Sequence, residues 1–191
     1  MQEPSSQSPS DVGLTSPSWR SRGAWIQAAL YLSLMAIGYL AATLLPSLLL
    51  RLGYAGVMAA ASYVDLRERR IPNRIMYPSI AFALGAAGIY PGWLSGLAGG
   101  AAAGLVLTIP VLVYGPERAG IGDVKLALFV GLVLGLNASL YNAIFIAFAS
   151  AALVGVVGIL LGRLHLRSPL PFGPFLSLGA ILSLFVIPTG S

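Results

Sequence analysis

Seven long apolar runs, parted by short polar stretches that hold nearly all the charge, set the pattern of this 191-residue chain. They cover residues 25–45, 47–64, 75–90, 93–114, 124–141, 142–161 and 172–187. Most are close to the about 20 apolar residues an α-helix needs to cross the hydrocarbon core of a bilayer. The pattern predicts an all-α integral membrane protein, a polytopic helical bundle of about seven transmembrane helices. The 124–161 stretch is too long for one span, and Asn137, Ser139 and Asn142 mark its break. The 75–90 run is short and borrows residues 72–74 or Gly92 at its ends. Residues 1–23 are rich in Ser, Pro and Gln, bury too little apolar surface to offset ordering entropy, and are expected as a disordered tail. The run after them exceeds the roughly 7–15 residues of a signal-peptide core, so it is expected to remain as a span.

Composition agrees: 57% of residues are hydrophobic and 9% charged, against roughly one-quarter charged in soluble domains. The net charge of +5 does not point to nucleic acid, because the cations sit between apolar runs. Arg20, Arg22, Arg67, Arg69, Arg70, Arg74, Arg118, Lys125, Arg163 and Arg167 fall in gaps on one side of a seven-span bundle, and only Arg51 falls on the other. By the positive-inside rule this predicts a cell-membrane protein whose N-terminus and basic loops are cytoplasmic. A different number of spans would scramble the split. There is no cysteine for a thiolate nucleophile, disulfide or Cys-based zinc site, and His165 alone makes no His cluster. Gly96, Gly100 and Gly104 repeat every four residues on one helix face, as do Gly131 and Gly135, which predicts close helix packing.

Chemistry is confined to few residues. Besides Glu3 and Asp11 in the tail, the only carboxylates are Asp65, Glu68, Glu117 and Asp123. A charged group at membrane depth costs about 2.5 kcal/mol or more, so each of these needs a reason. Asp65 closes the second run and Asp123 opens the fifth, which puts both at the cytoplasmic ends of their helices. Singly, Asp65 reads as well as an interfacial anchor neutralised by Arg67 and Arg69, and Asp123 as well as an N-terminal carboxylate favoured by the helix dipole, as either reads as a functional acid. As a pair at one depth they can share a proton, leaving one acid and one base to activate water on a peptide carbonyl. Gly120 and Gly122 give the loop before Asp123 the freedom to approach an extended substrate.

Three segments then carry a resemblance. Asp65-Leu66-Arg67-Glu68-Arg69-Arg70-Ile71-Pro72-Asn73, Gly120-Ile121-Gly122-Asp123-Val124-Lys125-Leu126 and Pro171-Phe172-Gly173-Pro174-Phe175-Leu176 occur in the order seen in the type IV prepilin peptidase family, membrane aspartyl peptidases of the GxGD type. The likeness runs from about Ser47 to the C-terminus, and it implies a disordered cytoplasmic tail (1–23), an extra N-terminal transmembrane helix (24–46) and a six-helix membrane domain resembling the prepilin peptidases (47–191). It implies that Asp65 and Asp123 are a catalytic pair that cuts the basic leader from prepilin-like or archaellin-like precursors at the cytoplasmic face, without cofactor. Larger family members also N-methylate the new terminus and carry a cysteine-bearing insert. The lack of cysteine resembles the small, peptidase-only branch, without methyltransferase activity. Lys125 is a candidate for tuning the pair or for holding a phospholipid headgroup, and Glu68 and Glu117 are candidates for attracting the basic leader. Arg67, Arg69, Arg70 and Arg74 read as topology determinants and lipid contacts, Pro72-Asn73 as a turn, and Phe172-Gly173-Pro174 as a helix start. The competing readings are a small transporter whose aspartates relay protons and a non-catalytic assembly scaffold. The first would favour an inverted repeat, and none stands out in the sequence.

Overall fold

The computed structural model describes residues 18–45, 47–68, 71–115, 120–163 and 171–185. Among them are seven helices and no strand: α1 (Ser18–Leu44), α2 (Ser47–Glu68), α3 (Asn73–Ala86), α4 (Trp93–Tyr114), α5 (Ile121–Leu134), α6 (Ala138–Leu160) and α7 (Gly173–Phe185). Residues 18–23, expected in the tail, belong to α1, and residues 1–17 lie outside the described part.

Four helices, α1, α2, α4 and α6, are long and apolar enough to cross a membrane by themselves. The other three have 14, 14 and 13 residues, or roughly 20 Å each at 1.5 Å per residue. Large apolar side chains lie open on the long helices, among them Leu94, Leu105 and Leu112 of α4 and Phe145, Leu153 and Leu160 of α6. Water would drive such a surface to aggregate, whereas acyl chains solvate it. The chain is a helical membrane protein.

Helix α5 is the hub. It packs against α2, α3, α4, α6 and α7, and every residue from Leu126 to Leu134 except Leu128 is buried. A helix walled in by protein has no lipid face to match to the bilayer, so its short length is tolerated. The expected division of the 124–161 stretch at 141/142 moves to Gly135–Asn137. Gly135 ends α5 at φ 74°, and the Asn137 side chain accepts hydrogen bonds from the N–H groups of Ser139 and Leu140 to cap α6. Asn142 lies inside α6, where those donors are already spent on the helix.

Close contacts at glycine join the helices in pairs. On α4 and α5, a Cβ added at Gly99 would lie 2.5 Å from the Gly131 carbonyl oxygen, and one at Gly131 would strike Gly99 in return. Gly96 and Gly100 flank this contact against Leu132 and Leu128, as their four-residue repeat predicts, while Gly104 stands farther off and Gly135 serves as the helix terminator. Gly38 and Gly85 join α1 to α3 through the Phe82 and Met35 carbonyls, and Gly179 joins α7 to the Ala143 carbonyl of α6. These last three glycines lack a repeat, which is why the sequence pattern did not mark them. In lipid there is no hydrophobic drive between helices, so backbone approach at small residues supplies the packing.

Helices α2 and α7 lie side by side and antiparallel. Near the start of α2, Arg51 donates to the Leu184 carbonyl at 3.0 Å, close to the end of α7, which accounts for the cation opposite the others. At the other end of the pair, Asp65 meets Gly173. Gly131→Ala should therefore force α4 and α5 apart and lower stability by about 1–3 kcal/mol. Gly53→Ala, which faces open space on α2, should be neutral or gain a few tenths of a kcal/mol. Thermal unfolding in detergent measures both.

Candidate active site

The site forms where α2 ends and where α3, α5 and α7 begin. On α2 the buried residues are Tyr54, Met58, Ala61 and Asp65, a three-and-four spacing that lays one stripe against the bundle. Asp65 is therefore pulled inside with the stripe, and is only 6% exposed. Its Oδ2 is buried with no hydrogen-bond partner in the chain.

Gly173 explains how a carboxylate fits there. A Cβ at this first residue of α7 would lie 2.6 Å from Asp65 Oδ2 and 3.4 Å from Ile71 Cδ1, so glycine alone leaves room. The start of α7 at Gly173 lies beside both the Asp65 and the Asp123 carboxylates. Helix N-termini hold unpaired N–H groups and a partial positive charge, which suits two anions. The segment at 171–173 is a helix start, as expected, and it is also a wall of the acid pair. Phe172 packs at 5.0 Å on Phe148 of α6 and fixes the entry of the chain into α7.

Asp123 sits in the first turn of α5. Its N–H donates to the Gly120 carbonyl at 3.0 Å, and its Oδ2 lies over Gly120, 3.3 Å from where a Cβ would stand. Gly122 faces Ile71, with 3.0 Å between its would-be Cβ and the Ile71 Cβ. Each carboxylate lies in the field of the other, so Asp123 feels the Asp65 charge as repulsion. Two helices remote in sequence thus bring one carboxylate each to the same end of the bundle.

Sequence reasoning missed Ile71. It is buried between Gly122 and Gly173 and sets the spacing of the chain segments that carry Asp123 and face Asp65. Its signal was an apolar residue alone in a basic, polar loop. Lys125 turns to α3: Nζ donates to Asn73 Oδ1 at 2.6 Å and lies 4.7 Å from the Tyr77 ring centroid. Asn73 is thus the first residue of α3 as well as part of the connection. Glu68 is exposed at the end of α2, and Glu117 lies outside the described residues. Among the described residues no three His, Cys, Asp or Glu side chains come together as a metal site would need.

A helical membrane bundle with two facing carboxylates at one end is the class that the fold and site define. The type IV leader peptidase family matches residues 52–159, more than half of the chain, and the chain belongs to that family. It is similar to the prepilin leader peptidase/N-methyltransferase of Bacillus subtilis, at 36% identity over 133 residues that cover 68% of this chain and 52% of the relative. The protein of the same name from Burkholderia pseudomallei is 32% identical over 139 residues, covering 70% and 45%. That from Aeromonas salmonicida is 30% identical over 137 residues, covering 67% and 46%. The chain spans about half the length of the curated relatives it matches. No solved structure matches it.

Lys125→Met removes a charge-assisted bond between α3 and α5 and is expected to cost about 1.5–3 kcal/mol in detergent unfolding. Asn73→Ala should cost a similar amount, and the double variant should lose less than the sum, because both remove one bond.

Proposed function

We propose that this protein is an aspartyl endopeptidase that removes the basic leader from prepilin-like precursors at the cytoplasmic membrane face, with Asp65 and Asp123 as its catalytic pair. The observation that carries the reading is that two carboxylates from helices remote in sequence meet beside the start of α7, within each other's field. Like charges that repel cannot both ionise easily, and in this reading the pair shares one proton. The ionised partner takes a proton from water as it attacks the peptide carbonyl, and the protonated partner polarises that carbonyl and then protonates the leaving amine. Macroscopic acid and base limbs belong to the pair, not to either residue. The family membership and the leader peptidase activity for which the relatives are named support peptide cleavage. Leader removal without methylation is the activity we assign, and membrane lipids surround the site.

Asp65→Asn and Asp123→Asn are each expected to reduce precursor cleavage at least a hundredfold while leaving protein level and membrane insertion unchanged. Gly173→Ala should fall with them, because its Cβ displaces the Asp65 carboxylate. Coexpression with a prepilin-like precursor, read by gel shift and product mass, measures cleavage, its position and any added methyl group. Near-normal processing by either Asn variant would sink the aspartyl mechanism.

The cytoplasmic assignment rests on the basic residues at the site end. Arg67, Arg74, Lys125 and Arg163 are at or near helix ends on the Asp65 side, and Arg51 is at the other. Since the chain has no cysteine, single substitutions can report sidedness. Ile89→Cys, in the exposed turn before α4, should label with an impermeant maleimide in intact cells. Glu68→Cys should label only in inverted vesicles. The reverse pattern would refute the orientation.

A further inference from the structure

Ile71 stands in the short connection from α2 to α3, yet only 8% of it is exposed. It is enclosed by two backbones that carry no side chain of their own. A Cβ built on Gly122 would lie 3.0 Å from Ile71 Cβ and 3.3 Å from its Cγ1. One built on Gly173 would lie 3.4 Å from Ile71 Cδ1. The root of this side chain is therefore seated on the first turn of α5, and its tip on the first residue of α7.

Each of those glycines adjoins one acid. Gly122 is bonded to Asp123, and the Cβ position of Gly173 is 2.6 Å from Asp65 Oδ2. One aliphatic side chain thus spans from the wall that carries Asp123 to the wall that Asp65 touches. Ile71 is β-branched and stiff at χ1, and the glycine backbones against it have no flexible atoms that could yield. Repulsion between like charges varies inversely with their separation and is stronger where water is excluded. A fixed separation therefore fixes how far apart the two carboxylates titrate. The other charged groups on the elements around the pair are engaged elsewhere or open to solvent. Arg67 of α2 lies 4.8 Å from the Tyr63 ring centroid, Lys125 of α5 is bonded to Asn73, Glu68 and Arg74 are exposed, and α7 has no charged residue.

We propose that Ile71 is a positioning residue for the acid pair, a spacer between α5 and α7 whose length holds the two carboxylates at the separation where they share a proton. This role rests on the peptidase reading above. Ile71 touches neither substrate nor reacting atoms, so it acts on kcat through the geometry of Asp65 and Asp123. Valine in its place keeps the carbons that meet Gly122 and lacks only Cδ1, the atom that meets Gly173. Leucine keeps a carbon at the δ position.

The test compares Ile71→Val, Ile71→Leu and Leu140→Ala in the purified full-length protein. Leu140 is buried at the opposite end of the bundle, and its truncation removes more apolar volume than Ile71→Val does. Two readouts are taken: kcat and KM on a prepilin-like peptide, and the pH titration of the infrared band of the protonated carboxyls, assigned by its change in Asp65→Asn and Asp123→Asn. Ile71→Val should lower kcat about tenfold with KM within about twofold, and should bring the two titration steps closer by about half a pH unit or more. Ile71→Leu should stay near wild type in both. Leu140→Ala should lower the thermal midpoint more than Ile71→Val without moving the steps. Wild-type kcat and steps in Ile71→Val overturn the proposal and leave the peptidase reading standing. Equal movement of the steps in Leu140→Ala, or in Ile71→Leu, also overturns it, since loosening in general would then suffice or the δ carbon would not matter. A wild-type protein inert on such peptides, whose steps still close up in Ile71→Val, removes the peptidase reading and keeps the spacer.

Discussion

Two carboxylates that repel each other are held together at one end of a membrane bundle, and much of the architecture serves to make that tolerable. Asp65 arrives on the buried stripe of α2 and Asp123 on the first turn of α5. The beginning of α7 makes the arrangement possible, because Gly173 has no side chain to strike the Asp65 carboxylate. A larger residue there would push on Asp65 and on Ile71 at once.

That arrangement depends in turn on how the helices reach one another. α5 is enclosed by five neighbours, and its contact with α4 is set by Gly99 against Gly131. α7 is set on α6 by Gly179 and tied to α2 at its far end by Arg51. Backbone contacts at glycine are stiff because no flexible side chain can yield. The positions of the two acid-bearing helices are therefore fixed well below the site itself. Lys125 adds a tie at the site end by holding the N-terminus of α3 against α5.

Family membership and geometry meet at α2 and α5. The family match covers residues 52–159, which contains both aspartates but stops before α7. The acid pair has its third wall, Gly173, beyond that match, contributed by a helix of 13 residues. The short helices α3, α5 and α7 are the ones that bring their N-termini to the site, while the four long helices carry much of the open apolar surface.

The sequence alone determined the membrane class and the number of helices, and it singled out Asp65 and Asp123 as carboxylates at helix ends. Each follows from a local property: apolar run length, charge asymmetry between loops, and the scarcity of carboxylates. It also marked the Gly96–Gly100 face, since a four-residue repeat is visible in one dimension. Only the tertiary structure decided the break at Gly135–Asn137, because three polar residues competed for it and the capping bonds chose one. The roles of Ile71, Gly173 and Gly179 were equally hidden, for each is a single small or apolar residue whose meaning lies in what another helix places against it. Lys125 was drawn to α3 by Asn73, a partner 52 positions away that no local pattern points to.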